Sequence, residues 1–186
     1  WFLEELSPGT DLHHLHAAHW LKGPMNQEAL QRAFAALVER QPVLRTHIER
    51  GEEAMRQRIL PRLDGELLHV EDMSHLAPHE REPHVQYRCA EWVARPFDLL
   101  NAPLFRAVLF RFDDQVHALL VVAHHLIWDA WSFDVLYAEL AVHYSAFVQG
   151  IVPGLPPLTV SYGDFSAWQL EWLKGEELQR QTSQWV

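Results

Sequence analysis

Two adjacent histidines, an aspartate and a serine stand close together in the chain, where an apolar run ends. His124 and His125 close the run that begins at Val116, and Asp129 and Ser132 follow. A neutral imidazole titrates near pH 7 and can take a proton from an attacking nucleophile, so His125 is a candidate general base. Asp129 could fold back to orient the loop or pair with an arginine. The spacing alone also fits a histidine pair with a purely structural role.

The pattern of apolar residues predicts the elements that must position these side chains. Strands are predicted over residues 12–21, 43–49, 54–60, 67–70, 104–112 and 116–123, and helices from Asn26 to Pro42 and over 80–93, 131–148 and 165–178. The run over 116–123 has the hydrophobic density of a central strand. Strand ends are where α/β folds place chemistry. Ser132 is predicted to cap the helix that follows the histidine pair.

Composition excludes several classes of protein. The eight glycines form none of the glycine motifs of dinucleotide enzymes, P-loop NTPases or elbow-type serine hydrolases, and a net charge of −10 argues against nucleic-acid binding. The apolar runs are too short to span a membrane, and Cys89, the one cysteine, cannot form an internal disulfide. We therefore expect a soluble cytoplasmic domain. The chain begins at Trp1 without a methionine, which indicates a fragment of a longer protein.

Histidine is unusually abundant, with 13 copies, and four of them cluster at His13, His14, His16 and His19. A strand places these side chains on both of its faces, so they cannot converge on one ion without a sharp bend. No metal site is predicted. Ser132 lacks a nucleophile elbow, which favours the helix cap over a nucleophilic role.

Five segments, in chain order, resemble the motifs of condensation domains of nonribosomal peptide synthetases. Residues 1–6 with 8–9 resemble the end of the first motif, 39–46 resemble RHExLRT, 96–99 with 103–106 resemble PFDLxxxPLxR, 124–132 resemble HHxxxDGWS, and 162–169 resemble YxDFAxWQ. The resemblance covers residues 1 to about 169. Two departures stand out: Ala130 replaces the motif glycine, and Gln41-Pro42 replace His-Glu.

The resemblance implies a chloramphenicol-acetyltransferase-like fold, an α/β (α+β) sandwich in which helices flank a mixed sheet. Such a fold has two similar lobes, and residues 1–186 would form the amino-terminal one. Residues 150–160 are linker-like, and 161–186 are expected to form a helix that leads towards the second lobe.

The same resemblance implies a site between the lobes, where the phosphopantetheine arms of two carrier proteins meet. There the α-amine of a carrier-bound acceptor attacks the thioester of a carrier-bound donor and forms an amide. His125 would be catalytic and the motif residues His124, Asp129, Ala130 and Ser132 would support it, while Trp128 and Trp131 would line the tunnel or pack the loop. Arg45 is one candidate partner for Asp129, and a residue of the second lobe is another.

The partners implied are donor and acceptor carrier domains, the second lobe and an adjacent adenylation domain, with no cofactor bound by this lobe. A second hypothesis is a catalytically silent or truncated lobe that docks carrier or partner domains. Ala130 favours it, because a methyl group at a position that needs positive φ costs strain, or else narrows the channel. An epimerisation domain shares the HHxxxD core, but Trp131 and Ser132 look more like the condensing type.

Overall fold

The computed structural model describes residues 9–51 and 55–184. In chain order the elements are β1 (His14–Lys22), α1 (Gln27–Arg40), a 3-10 helix (Pro42–Arg45), β2 (Thr46–Arg50), β3 (Met55–Ile59), β4 (Leu68–Asp72), α2 (Pro78–Ala94), β5 (Phe105–Arg111), β6 (Val116–His124), α3 (Ala130–Gln149), α4 (Tyr162–Trp172) and α5 (Glu176–Thr182). The motif-like segment 1–6 lies outside the described residues.

A mixed four-stranded sheet forms the centre of the fold, in the order β1-β6-β5-β4. β6 is antiparallel to both β1 and β5, whereas β4 and β5 are parallel. Parallel neighbours need a crossover connection, and α2 supplies it between β4 and β5. The strands β2 and β3 pair with each other in a separate two-stranded sheet.

The alternation along β5 and β6 creates two apolar faces, and helices cover both. Leu109, Leu119 and Val121 belong to one buried cluster together with residues of α1 and α3. Val108 and Leu120 belong to the other, together with Val85 of α2. Successive strand residues point to opposite faces, so a strand that is covered on both sides must be apolar throughout. This explains why β6 reads as a continuous apolar run.

The α1 helix was predicted correctly, including its first residue. The side chain of Asn26 accepts a hydrogen bond of 3.0 Å from the backbone N–H of Ala29, and so satisfies one of the free donors at the helix start. Leu30, Phe34 and Leu37 are buried on the face that packs towards the sheet and α3. This helix ends at Arg40, just before Pro42.

The structure differs from the sequence-based prediction at several helix boundaries. The second helix begins at Pro78 and not at residue 80, and α4 begins at Tyr162 and not at residue 165. Asp129, and not Ser132, is the N-cap of α3: its carboxylate accepts the N–H of Ser132 at 2.8 Å. The helix predicted over 165–178 is two helices: α4 ends at Trp172, and Gly175, the N-cap of α5, has φ 64° and ψ −131°, a non-helical conformation that glycine adopts without strain.

The first part of the strand predicted over 43–49 is also not a strand. Pro42 opens the 3-10 helix, and β2 begins only at Thr46. Residues 151–161 contain neither helix nor strand. Within the described part of the chain, no helix is both long and apolar enough to cross a membrane.

Candidate active site

His124 is the last residue of β6, and its side chain shapes the turn that follows. It is 3% exposed and lies opposite His14 of β1 in the strand register. Its Nδ1 accepts a hydrogen bond of 3.0 Å from the N–H of Leu126, while its carbonyl accepts the N–H of Ile127 at 3.0 Å. Because an N–H can only donate, Nδ1 of His124 carries no proton. The ring therefore holds the first residues of the turn against the end of the strand.

His125 lies in this turn and is exposed. Its backbone N–H donates to the carbonyl of His13 at 2.7 Å, and its Nδ1 lies 2.7 Å from the carbonyl oxygen of Trp128. A carbonyl oxygen can only accept, so Nδ1 must carry the proton in this contact. The neutral ring then has its lone pair on Nε2. This is the tautomer that can accept a proton from a substrate through Nε2.

Asp129 anchors the start of α3 through reciprocal hydrogen bonds with Ser132. Its Oδ1 accepts the Ser132 N–H at 2.8 Å and the Ser132 hydroxyl at 2.6 Å, and the Ser132 hydroxyl oxygen accepts the Asp129 N–H at 3.2 Å. The hydrogen bond from the Ser132 hydroxyl, and after it the bond from the Ser132 N–H, holds the pKa of Asp129 below its usual value. The nearby His125 lowers this pKa further. An ionised carboxylate is favourable at a helix N-terminus. Asp129 and Ser132 thus fix the end of the turn that carries His125.

Arg45, one of the two candidate partners of Asp129, does not pair with it among the described residues. Its guanidinium donates to the carbonyls of Val38 and Pro61, at 3.0 and 3.1 Å, and also to that of Leu60. Val38 lies in the last turn of α1, where carbonyls have no partner within the helix. Arg45 therefore fastens the end of α1 to the chain after β3.

Ala130 is the first residue of α3 and is exposed. No described residue other than glycine has positive φ. The backbone strain expected for a methyl group at this position is therefore absent, since only positive φ penalises a side chain here. Without backbone strain, a narrower substrate channel is the one remaining cost of the Ala130 methyl group.

The two tryptophans of the motif have different surroundings. Trp128 is 6% exposed, joins the main apolar cluster and contacts the Phe133 ring edge-on at 5.2 Å between centroids. Trp131 is 73% exposed. Both border a cavity of about 200 Å³. It lies between the turn over residues 125–129 (the motif turn), the end of α1 and the start of α3. Trp128 thus packs the loop, and Trp131 presents its ring to the surface.

Sequence reasoning did not assign a role to the residues that support the site from behind. Glu139, 9% exposed, accepts hydrogen bonds from Arg40 at 2.9 Å and from Gln41 at 2.8 Å, which ties α3 to the end of α1. Gln41 replaces the histidine of the second motif, and this difference from the motif is the feature of the sequence that could have indicated its role. On the other side, the His14 ring contacts the His124 ring, and Arg106 lies over the neighbouring Phe97 ring.

The histidines considered for metal binding do not form a metal site with other ligands in the described residues. No group of three or more His, Cys, Asp or Glu side chains there could hold a metal ion. His14 is buried, whereas His16 and His19, which lie further along β1, are exposed. His14 and His16 share one face of β1, and His19 lies on the other.

Comparison with known proteins identifies the family. A family model described as Condensation domain matches residues 1–186. A linear gramicidin synthase protein of Brevibacillus parabrevis is 36% identical over 185 residues, which are 100% of this chain and 2% of that protein.

Solved structures that are similar in fold include an X-domain and a condensation domain. The X-domain in complex with OxyB from teicoplanin biosynthesis has a TM-score of 0.81 and 28% identity, and the match covers 96% of this chain and 37% of that chain. The first condensation domain of the calcium-dependent antibiotic synthetase has a TM-score of 0.86 and 20% identity, covering 97% and 43%. The chain spans less than half of these structures, and the expected lobe fold is confirmed. With its whole length matched by the family model, the chain belongs to the condensation domain family.

Proposed function

We propose that this chain supplies the histidine-bearing lobe of a domain that forms peptide bonds in nonribosomal peptide synthesis. The observation that carries the proposal is the exposed ring of His125, whose Nδ1 is held at 2.7 Å by the Trp128 carbonyl. The hydrogen bond fixes the ring, and in the neutral ring it leaves the lone pair on Nε2, as a general base requires.

In the proposed reaction the acceptor amine nitrogen attacks the carbonyl carbon of the donor thioester. A C–N bond forms, the C–S bond breaks, and the amine loses one proton while the departing thiolate gains one. Nε2 of His125 either takes the proton of the amine or positions the amine by a hydrogen bond. Positioning the amine and donor is itself a large contribution in a reaction between two bound groups.

The substrates and partners belong to the same proposal, because the chain is a small part of the synthetase it matches. The donor and the acceptor arrive on phosphopantetheine arms of two carrier domains. A second lobe of the same domain closes the site over His125, and an adenylation domain lies next to it in the synthetase. We place the protein in the cytoplasm.

A second candidate function is a docking module that no longer condenses. Two observations favour it: Ala130 replaces the motif glycine, and the similar X-domain was solved in complex with OxyB. The helical backbone at Ala130 weakens this candidate, because the methyl group causes no strain there. A docking module would bind carrier or partner domains without forming amide.

One assay separates the two candidates. The full-length synthetase and its Ala130→Gly variant are given loaded donor and acceptor carriers, and both amide formation and carrier binding are measured. Condensation predicts amide product from the unmodified enzyme. Carrier binding without product from either form would refute condensation and support the docking module.

A further inference from the structure

His14 lies directly behind the motif turn, at the start of β1. It is 7% exposed, and its Cα is the register partner of His124 across the β1–β6 pair. The preceding residue, His13, accepts the backbone N–H of His125 through its carbonyl at 2.7 Å. His14 and the residue just before β1 therefore contact the two motif histidines, His14 through its ring and His13 through its backbone.

The His14 ring is held in place by a hydrogen bond to the end of α2. Its Nδ1 lies 2.7 Å from the carbonyl oxygen of Val93, which can only accept, so Nδ1 carries the proton. Val93 is in the last turn of α2, where carbonyls lack partners within the helix. The buried His14 ring thus donates the hydrogen bond that a water molecule would otherwise have to give to this helix end.

Arg106 fixes the segment that follows α2 and presses Phe97 against the same cluster. Its guanidinium donates to the carbonyls of Trp92 at 2.9 Å and Pro96 at 2.7 Å, and it lies 3.7 Å above the Phe97 ring. Burial, and then Arg95, lowers the pKa of Arg106 to about 10, so it stays charged at neutral pH. Phe97 is therefore clamped from its outer side.

Three rings then meet behind the turn. His14 contacts Phe97 edge-on at 4.9 Å between centroids. The His124 ring lies 5.9 Å from His14 and 6.2 Å from Phe97, with interplanar angles of 67° and 88°. Such edge-to-face contacts have a preferred geometry, and so they orient the rings as well as bury them. The orientation of His124 determines where its Nδ1 meets the Leu126 N–H, which forms the turn that contains His125.

We propose that His14 is a positioning residue for the condensation reaction, acting through His124 on the turn that holds His125. The inference rests on the proposed function of His125. Loss of the Nδ1 donor frees the end of α2 and the Phe97 ring, and His124 then loses the wall that orients it. The expected consequence is a misplaced His125 ring, with the carrier docking surfaces unchanged.

The test compares three substitutions in the full-length synthetase. His14→Leu removes the donor at similar volume, His14→Asn keeps an N–H donor at the same distance from the backbone, and His16→Leu is the control at an exposed position of the same strand. Single-turnover amide formation is measured with saturating loaded carriers, at a temperature where circular dichroism shows every variant to be folded. A displacement of about 1 Å at a catalytic group can cost on the order of a hundredfold in rate.

We expect His14→Leu to lower the single-turnover rate by about tenfold to a hundredfold, with the carrier concentration at half-maximal rate unchanged. His14→Asn keeps the donor but not the ring and should recover part of the rate, and His16→Leu should match the unmodified enzyme. In a His125→Ala background, His14→Leu should have no further effect on the residual rate, because residues that act as a unit are not additive.

Equal losses from His14→Leu with and without His125 would show a general structural role and overturn the proposal. So would an unchanged rate for His14→Leu, or a loss for His14→Asn as large as that for His14→Leu. If the unmodified enzyme forms no amide at all, the proposed function fails and this inference falls with it. Amide formation that is insensitive to His14 refutes only the positioning role.

Discussion

Among the described residues Asp129 supports the motif turn as a helix cap and pairs with no arginine, and two substitutions distinguish a capping role from an arginine pair. Asp129→Asn removes the charge but keeps a side-chain oxygen that can accept the Ser132 N–H, which Asp129 Oδ1 accepts at 2.8 Å. Asp129→Ala removes both. Asparagine and aspartate are nearly equal as N-cap residues, whereas alanine is poor.

The magnitude follows from the contacts. Asp129→Ala loses the accepted N–H and the Ser132 hydroxyl bond of 2.6 Å, and should lower the free energy of unfolding by about 1 to 2 kcal/mol. Asp129→Asn loses only the interaction of the charge with the helix dipole, about 0.3 to 1 kcal/mol. If an arginine pair held Asp129, the two substitutions would be similarly harmful.

The assay is urea unfolding at pH 7 and at acid pH, with Asp134→Ala as the control at an exposed position of the same helix. Because the folded pKa of Asp129 lies below its usual value of 3.8, the stabilisation by its charge is present above that value. It is lost as the pH falls through the folded pKa. Equal losses from Asp129→Asn and Asp129→Ala at pH 7 would refute the capping account.

Three other substitutions test the surroundings of the site. Glu139→Ala leaves Arg40 and Gln41 without their buried acceptor and should cost about 3 kcal/mol in urea unfolding; a loss under about 1 kcal/mol would contradict the contacts. Burial lowers the pKa of His143 in the folded state below its usual value of 6.5. The unfolded state therefore binds more protons as the pH drops through that range, and the free energy of unfolding decreases as the pH decreases. His143→Leu should flatten the fall between pH 7 and 5, and an unchanged slope would contradict it. Ala130→Gly should lower the free energy of unfolding by up to about 1 kcal/mol, since glycine is the poorer helix residue; a gain would indicate strain at Ala130.

The elements whose side chains repeat regularly were predictable from the sequence. β6 is buried on both faces, so its residues form a continuous apolar run, and α1 is buried on one face, so its apolar residues recur at helical spacing. Both patterns can be recognised in the sequence. The 3-10 helix at Pro42 was not predictable in this way. Its short apolar run, with Val43 and Leu44, has the same pattern in a strand as in a turn of helix.

The cap of α3 shows a second limit. Asp129 and Ser132 are both good cap residues and stand three positions apart, so each satisfies the N-cap rule. Only the reciprocal bonds between them show that Asp129 is the cap and that Ser132 lies inside the helix.

The site was predictable as a set of residues but not as an arrangement. The resemblance singled out His125, yet its tautomer depends on the Trp128 carbonyl, whose direction is set by the turn. The role of His14 depends on its register opposite His124, which a one-residue slip of β1 would abolish. Such contacts between distant segments leave no periodic signal in the sequence.

The most direct test of the central claim is the single-turnover rate of amide formation by the full-length synthetase in which His125 is replaced by alanine. Donor and acceptor carriers are fully loaded and saturating, so that chemistry and not binding is measured. Because general acid–base catalysis contributes about a hundredfold to ten-thousandfold, the account predicts a fall of at least about a hundredfold with carrier affinity unchanged. A rate equal to that of the unmodified enzyme would contradict the assignment of His125 as the catalytic residue.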